Sequence, residues 1–202
     1  MVCMKCKRGK EEVWLAHLPG GVCNRCFLDI IEKRVRKNSR VNGYFTKGED
    51  IIFLDDGSAN SAVSRYFLER FTEHRSPRIR VERVEEMDDV WGTRRNRVIE
   101  ALLKKHPSSK LVLPVNADNE AELFLGEMAG SGHKKASPRL IKLIKCLSQK
   151  EVELFARLKG FKYSESSLNN SVIRGMLERL EEKSPDIRFA ILKSLEAIDS
   201  KK

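Results

Sequence analysis

The sequence of 202 residues lacks any apolar run of the roughly 18 residues that a membrane-spanning helix requires. Its N-terminus is polar and contains cysteines, so it does not have the pattern of a secretory signal. It also contains no internal repeat and no low-complexity segment. These absences predict a soluble protein of the cytoplasm with no membrane-spanning segment.

Acidic residues are in short supply. Asp and Glu number 29 against 39 Lys and Arg, which gives a formal net charge of +10. Such an excess favours a polyanionic partner, with nucleic acid first and an acidic membrane surface second. Hydrophobic residues make up 41% of the chain, which is enough for a core and excludes wholesale disorder. The length suits one domain of about 100–200 residues with a small appendage.

Cysteine is scarce as well, and four of the five cysteines lie in the first 26 residues. They form two CxxC pairs, Cys3 with Cys6 and Cys23 with Cys26, separated by 16 residues. This spacing is typical of a structural zinc site, in which four thiolates fill the tetrahedral shell and leave no position for a catalytic water. Two disulfides or a redox-active CxxC are the alternatives, and an intracellular location disfavours disulfides. The fifth residue, Cys146, is predicted to be an ordinary buried or half-buried cysteine.

A basic helix is predicted directly after the second cysteine pair, over residues 27–41, because apolar residues recur there at helical spacing. Its other face carries five basic residues: Lys33, Arg34, Arg36, Lys37 and Arg40. This face either contacts only solvent, as charged helix faces usually do, or binds the phosphates of a nucleic acid. The sequence thus predicts a first domain, residues 1–41, made of a four-cysteine zinc module and this helix.

From residue 50 onwards, strand, turn and helix alternate, which predicts an α/β fold with a parallel sheet and helices on both faces. Strands are predicted at 51–54, 79–84 and 110–115, and a last strand or extended piece is predicted at 140–146. Helices are predicted at 60–73, 92–105, 118–128, 148–158, 170–183 and 186–198. Residues 48–202 would form the second domain. Because ligands bind beyond the carboxyl ends of strands in such sheets, the turn at 56–61 is the candidate phosphate site.

Several stretches, in order along the chain, resemble the tRNA-thiolation branch of the PP-loop family of N-type ATP pyrophosphatases. The turn Asp-Gly-Ser-Ala-Asn-Ser at 56–61 resembles the family's pyrophosphate-binding loop, Ser-Gly-Gly-x-Asp-Ser. Residues 92–95 resemble the end of a Cys-x-x-Cys-Gly-x-x-Arg-Arg segment, and residues 114–122 resemble Gly-His-Asn-x-Asp-Asp-x-Ala-Glu. Residues 172–185 resemble an Arg-containing helix followed by Leu-Glu and a Pro. With the double CxxC, the resemblance covers nearly the whole chain, and it implies a PP-loop fold.

The candidate phosphate loop departs from the family pattern at three positions. Asp56, Ser58 and Asn60 stand where the family has Ser, Gly and Asp, and only Gly57 and Ser61 are retained. A carboxylate at position 56 would repel a triphosphate by a few kcal/mol at about 4 Å. Ser58 adds a side chain where the backbone must approach the phosphates. ATP binding through Gly57 and Ser61 is therefore doubtful.

The cysteines that handle sulfur in the family are also missing. The two that precede Gly-x-x-Arg-Arg are replaced by Asp88 and Trp91, and a third is absent from residues 163–170. Related enzymes use them to carry sulfur or to hold an iron–sulfur cluster, and both tasks need a soft thiolate. Trp91 is expected to fill the emptied pocket, with base stacking as the alternative.

The resemblance implies a protein close to the non-catalytic subunit of the cytosolic tRNA wobble-uridine 2-thiolation complex. Such a subunit would bind tRNA and pair with a catalytic PP-loop thiolase, which receives sulfur from a ubiquitin-like carrier. No residue of this chain would be catalytic, and its zinc would be structural. Two alternatives stay open: an ATP-dependent tRNA sulfurtransferase with a diverged site, or a zinc-containing RNA-binding module without a role in thiolation.

Five further residues allow two interpretations each. Arg94 and Arg95 open the helix after the second strand and either contact tRNA phosphate or face solvent, since the arginine fork suits bidentate phosphate binding. Arg174 either binds RNA or forms a surface salt bridge. Asn116 and Asp118 either cap the helix that follows them or contact a nucleotide, with capping the favoured interpretation.

Overall fold

The computed structural model of the protein describes residues 1–14, 20–74, 78–83, 93–130, 137–164, 172–184 and 186–200. This part of the chain contains the strands β1 (Asp50–Asp55), β2 (Arg78–Arg83), β3 (Lys110–Val112) and β4 (Leu140–Ile141). Its helices are α1 (Asn24–Val41), α2 (Ala59–Thr72), α3 (Thr93–Lys105), α4 (Ala117–Ala129), α5 (Gln149–Leu158), α6 (Val172–Lys183) and α7 (Ile187–Ser200). Among these helices, none has the length and apolar character needed to cross a membrane.

The strands form one parallel sheet in the order β2-β1-β3-β4, which confirms the predicted α/β class. Ile51 and Phe53 of β1 belong to an apolar cluster that includes side chains of α1, α2 and α5. Ile52 and Leu54 belong to a second cluster with Ile99 of α3. Side chains that alternate along a strand point to opposite faces. The helices therefore cover both faces of the sheet, as predicted.

The third and fourth strands are shorter than the apolar pattern predicts. β3 stops before Pro114, which has no N–H to donate to a neighbouring strand. The Val115 N–H instead donates to the Leu113 carbonyl at 2.9 Å. β4 ends at Ile141, and the chain continues to residue 146 as turns rather than as a strand. Both stretches are irregular backbone that contains buried residues such as Leu113 and Leu143, and apolar character alone does not distinguish this from a buried strand.

The strand order reverses at β1, because β2 lies on one side of it and β3 on the other. This reversal creates a crevice between the carboxyl ends of β1 and β3, where ligands of open parallel sheets bind. The loop at 56–61 leads from β1 to α2, and residues 113–116 lead from β3 to α4. Two helix N-termini are thereby brought to the same crevice.

The N-terminal segment shares an apolar core with the sheet. Phe27 of α1 lies in the same apolar cluster as Phe53 of β1, and both are fully buried. The segments 1–41 and 48–202 both contribute side chains to this cluster. Their division into two domains stays a prediction.

Candidate functional site

Four cysteines come together at the N-terminus, and all four are free thiols. The Sγ atoms of Cys3, Cys6, Cys23 and Cys26 lie within 4.8 Å of one another, and those of Cys6 and Cys23 are 3.9 Å apart. A tetrahedral ion with metal–sulfur bonds of about 2.3 Å holds its sulfurs about 3.8 Å apart. A four-iron cluster spreads its thiolates further, because each one binds a different iron. The four thiols therefore fit a single tetrahedral metal ion.

Local backbone turns build this cluster. The Cys3 N–H donates to the Gly9 carbonyl (2.7 Å) and the Lys7 N–H donates to the Cys3 carbonyl (2.9 Å), which folds the first CxxC into a tight turn. A side chain at Gly9 would place its Cβ 2.9 Å from the Cβ of Cys23, so a glycine is needed where the two cysteine pairs meet. Cys23 directly precedes α1 and Cys26 lies in its first turn, so the helix places the second pair.

The four thiols have different electrostatic environments. Backbone N–H groups, chiefly that of Cys6, lower the pKa of Cys3 to about 6. The N–H groups of Arg8 and Gly9 likewise lower the pKa of Cys6. Burial raises the pKa of Cys26 to about 12, so this thiol ionises at neutral pH only beside a cation. A soft divalent cation such as Zn²⁺ would complete the set, and four sulfur ligands would leave it no open position.

The loop between β1 and α2 satisfies several of its own hydrogen-bond donors. Oδ1 of Asp56 accepts hydrogen bonds from the Ser58 N–H (3.0 Å), the Ser58 hydroxyl (2.6 Å) and the Ser61 hydroxyl (2.5 Å). Oδ1 of Asp55 accepts from the Gly57 N–H at 3.0 Å. The Ser61 N–H donates to the Ser58 hydroxyl at 3.3 Å. Carboxylates of the chain thus occupy donors that a phosphate would use at a helix N-terminus.

Both residues retained from the phosphate-loop pattern have contacts within the chain. Gly57 has a φ of +73°, which favours glycine. Its carbonyl accepts from the N–H and the hydroxyl of Ser164, each at 3.0 Å. The Ser61 hydroxyl also accepts from the Asp56 N–H at 3.0 Å. The segment that follows α5 therefore contacts the loop directly at Gly57.

Three asparagines connect the N-termini of α2 and α4 across the crevice. Nδ2 of Asn60 donates to Oδ1 of Asn119, and Nδ2 of Asn116 donates to Oδ1 of Asn60, both at 3.1 Å. Asn116 and Asn119 also form a capping box at the start of α4. The three residues are at most 7% exposed. Asn116 is therefore a helix cap, and Asn60 links the helices where the family pattern has an aspartate.

Two arginines of the C-terminal helices pair with buried carboxylates of α4. Nη1 of Arg188 lies 2.8 Å from Asp118 and 2.8 Å from Glu181. Arg174 lies 3.4 Å from Glu122, and both side chains are largely buried. Burial raises the pKa of Asp118 in spite of the neighbouring Arg188 guanidinium. These ion pairs join α6 and α7 to α4.

Four of the residues predicted to bind RNA are exposed on α1: Lys33, Arg36, Lys37 and Arg40. Lys33 pairs with Asp29 at 3.2 Å. The other three have no ion-pair partner in the part of the chain that the structure describes. Their side chains are available to a polyanion, and their contact with RNA stays a prediction.

The other predicted RNA-binding residues are placed differently. Arg34 is 22% exposed and pairs with the Glu151 carboxylate through two hydrogen bonds, at 2.8 and 2.9 Å. Arg174 faces Glu122 rather than open solvent. Arg94 and Arg95 lie in the first turn of α3, but their side chains lie outside the described residues, as do the replaced cysteine positions 88 and 91. RNA contact by these residues also stays a prediction.

Sequence reasoning did not predict two features of the crevice. The first is the orientation of Asp56, which points into its own loop. The second is the link between Asn60 and Asn119, for which the only sequence signal was the Asn-x-x-Asn spacing of a capping box at Asn116.

The fold and the site together define a parallel α/β protein with a crevice between two helix N-termini and a four-cysteine module ahead of it. Among solved structures, the chain is similar to the U34-tRNA thiolase NcsA from Methanococcus maripaludis with its 4Fe-4S cluster. The TM-score is 0.78, with 16% identity, and the match covers 99% of this chain and 87% of that one. This likeness shows that the two proteins share a fold. No protein-family model and no curated protein matches the sequence.

Proposed function

We propose that this chain is a tRNA-binding, non-catalytic subunit in the 2-thiolation of the wobble uridine, and that it pairs with a catalytic PP-loop thiolase in the cytoplasm. The partner would use ATP and receive sulfur from a ubiquitin-like carrier. The observation that carries the proposal is the Asp56 carboxylate, which accepts three hydrogen bonds inside the loop where a thiolase of this fold would hold phosphate.

ATP binding would be opposed by two costs at this loop. The phosphates would have to displace Asp56 from its donors, and each hydrogen bond to a charged group is worth about 1.5–3 kcal/mol. A carboxylate that stays within about 4 Å of the triphosphate adds a repulsion of a few kcal/mol. We therefore expect millimolar or absent ATP binding by this chain alone.

Sulfur transfer would also lack a thiolate. Four of the five cysteines form the metal-binding cluster. The fifth is Cys146, whose pKa burial raises to about 12, so it is a neutral thiol at physiological pH. With no thiolate left to carry sulfur or hold a catalytic cluster, the chain is suited to binding rather than chemistry.

Binding of tRNA is supported by the distribution of charge. Residues 1–41 contain ten Lys and Arg against four Asp and Glu. Each of those four carboxylates has a partner: Glu11 the N-terminal amine, Glu12 the Asn24 N–H, Asp29 two lysines, and Glu32 Lys159 with Arg70. Seven exposed basic residues have no acidic partner among the described residues: Lys7, Arg8, Lys10, Arg25, Arg36, Lys37 and Arg40.

A bound metal ion would not reverse this balance. Four thiolates and one divalent cation carry a net charge of about −2, which leaves the segment positive. We propose Zn²⁺ as this ion, with the structural role of joining the two CxxC pairs.

The proposal is tested with the purified full-length chain. Calorimetric titration with MgATP should show millimolar or absent binding, and the chain alone should not thiolate tRNA when given ATP and a sulfur donor. A tagged chain should co-purify with a PP-loop thiolase and with tRNA. Micromolar ATP binding together with thiolation by the chain alone would instead identify a diverged enzyme. RNA without a thiolase partner would identify an RNA-binding module.

The salt dependence of tRNA binding provides a second measurement. Binding through phosphates releases counterions, so affinity should fall steeply between low and physiological salt. If the seven unpaired basic residues all contacted phosphates, the slope of log affinity against log salt would approach about −6. A tRNA affinity that did not change with salt would contradict phosphate binding by these seven residues.

A further inference from the structure

One aromatic side chain of the N-terminal segment lies mostly outside the core and is exposed to solvent. Trp14 is 63% exposed, whereas the preceding Val13 is 6% exposed and bridges to Val22. The backbone here is held in place, because the N–H groups of Glu12 and Val13 both donate to the Val22 carbonyl at 3.0 Å. A large exposed aromatic residue on a fixed backbone is more informative than a scattered exposed aliphatic one.

The N-terminal segment that contains Trp14 carries an excess of positive charge. Lys7, Arg8, Lys10 and Arg25 are exposed, and none has an acidic partner in the described part of the chain. The nearest acidic residues along the chain are engaged: Glu11 lies 3.6 Å from the N-terminal amine, and Glu12 accepts from the Asn24 N–H at 3.4 Å. An exposed indole in a segment with unpaired cations matches the surfaces that bind single-stranded nucleic acid.

We propose that Trp14 is a stacking platform for an unpaired RNA base, and that the basic residues of the same segment bind the adjoining phosphates. The proposal rests on the proposed RNA binding and deepens it, since it names unpaired nucleotides as the part that is recognised. Bases in a duplex are already stacked on one another, whereas unpaired bases in loops and ends are free to stack on an aromatic ring.

The arrangement favours RNA over an anionic membrane. A membrane-binding helix needs an apolar face that is free to enter the bilayer. The apolar face of α1 is instead buried in the core, where Phe27, Ile31 and Val35 are 0% exposed. This face of α1 is therefore not free to enter a bilayer.

The chain allows a direct spectroscopic test, because it contains only two tryptophans. In a Trp91→Phe background, Trp14 is the sole source of indole fluorescence. Titration of this full-length variant with a short oligouridylate should quench that fluorescence, and a duplex RNA of equal length should not. Quenching to the same extent by the duplex, or no quenching by the oligouridylate at saturation, would overturn the proposal.

Substitution of Trp14 separates stacking from charge. By the usual worth of base stacking, Trp14→Ala should weaken oligouridylate binding about 5- to 150-fold and leave duplex binding and the salt slope unchanged. Trp14→Phe keeps an aromatic face and should retain most of the affinity. Unchanged metal content in both variants shows that the cysteine cluster is intact. If Trp14→Ala binds oligouridylate as tightly as its parent does, Trp14 is not a stacking platform.

Two further outcomes distinguish this proposal from the proposed function. If the parent and Trp14→Ala bind tRNA equally, stacking is refuted while tRNA binding stands. If the parent binds oligouridylate through Trp14 but does not bind tRNA, the proposed function fails and stacking is supported. Vesicles of anionic phospholipid that shift the Trp14 emission where RNA does not would overturn the proposal in favour of a membrane partner.

Discussion

Replacement of Asp56 by serine is expected to restore phosphate binding to the loop at 56–61. The carboxylate accepts hydrogen bonds from the Ser58 N–H and from the hydroxyls of Ser58 and Ser61, at 2.5 to 3.0 Å. Serine removes the negative charge and releases these donors, while it keeps a short polar side chain. The donors would then be available to an anion at the N-terminus of α2.

The size of the effect follows from the bonds that change. Each hydrogen bond to a charged acceptor is worth about 1.5–3 kcal/mol, and the repulsion removed is a few kcal/mol. Part of this gain is lost because the loop must hold its shape without the carboxylate. We therefore expect a net gain of about 2–4 kcal/mol in pyrophosphate binding, which is about 30- to 700-fold in Kd. Without ligand, the unpaired donors should lower the free energy of unfolding by about 1–3 kcal/mol.

Calorimetric titration of Asp56→Ser with pyrophosphate and with MgATP measures the gain, and the thermal midpoint should rise with added ligand. Asp55→Ser is the matched control, because the Asp55 carboxylate accepts only the Gly57 N–H in this loop and its loss should have a smaller effect. A folded Asp56→Ser variant with no gain in affinity, or a parent protein that already binds MgATP at micromolar concentration, would refute the reasoning.

Three other predictions concern the metal, a buried ion pair and acid stability. Cys26→Ser should abolish stoichiometric zinc binding while Cys146→Ser retains it, as elemental analysis would show; equal metal loss in both would contradict the assignment. Arg188→Met leaves a buried carboxylate unpaired and should lower the free energy of unfolding in urea by about 3–5 kcal/mol, whereas a loss below 1 kcal/mol would mean that the pair is not buried in solution. Burial opposes ionisation of Glu32, but the Lys159 ammonium holds its pKa below the usual 4.5. The stability that the Glu32 carboxylate contributes is therefore present above pH 4.5 and is lost as the pH falls through the lowered pKa. Glu32→Gln should flatten this acid dependence of urea unfolding, and an unchanged slope would count against it.

The elements that the sequence predicts best are those whose burial is complete and regular. Ile51 to Leu54 form a continuous apolar run because β1 is covered on both faces, and all four are at most 2% exposed. The stretch from 140 to 146 is also mostly apolar, although it includes Lys142 and Lys145, and Leu143 and Ile144 are fully buried, yet the chain turns there. Buried turns and buried strands both contain mainly apolar residues, so the length of β4 was not predictable from the sequence.

Within the site, the predictable part is the part with fixed spacing. The two CxxC pairs identify a metal-binding cluster because tetrahedral coordination needs few residues and tight turns. Long-range partners have no such signature. The sequence places Arg34 on a basic helix face. No nearby residue in the sequence indicates that the Glu151 carboxylate, at the start of α5, accepts hydrogen bonds from both Nη atoms of Arg34. The sequence likewise shows a carboxylate at position 56 but not that it turns toward Ser58 and Ser61.

The N-terminal segment and the loop at 56–61 therefore differ in how readily they would bind phosphate. In the N-terminal segment the carboxylates are paired and seven basic side chains are exposed without acidic partners among the described residues, so a polyanion gains contacts without displacing any. In the loop at 56–61, Asp55 and Asp56 already accept four hydrogen bonds from donors of the loop, so a phosphate must break these bonds before it can use the same donors. The N-terminal segment therefore favours an extended ligand that makes many weak contacts. The loop at 56–61 disfavours a compact ligand that depends on a few strong hydrogen-bond donors. Both properties agree with the proposal that the chain holds RNA while a partner supplies the nucleotide chemistry, and a single substitution at Asp56 tests the second of them.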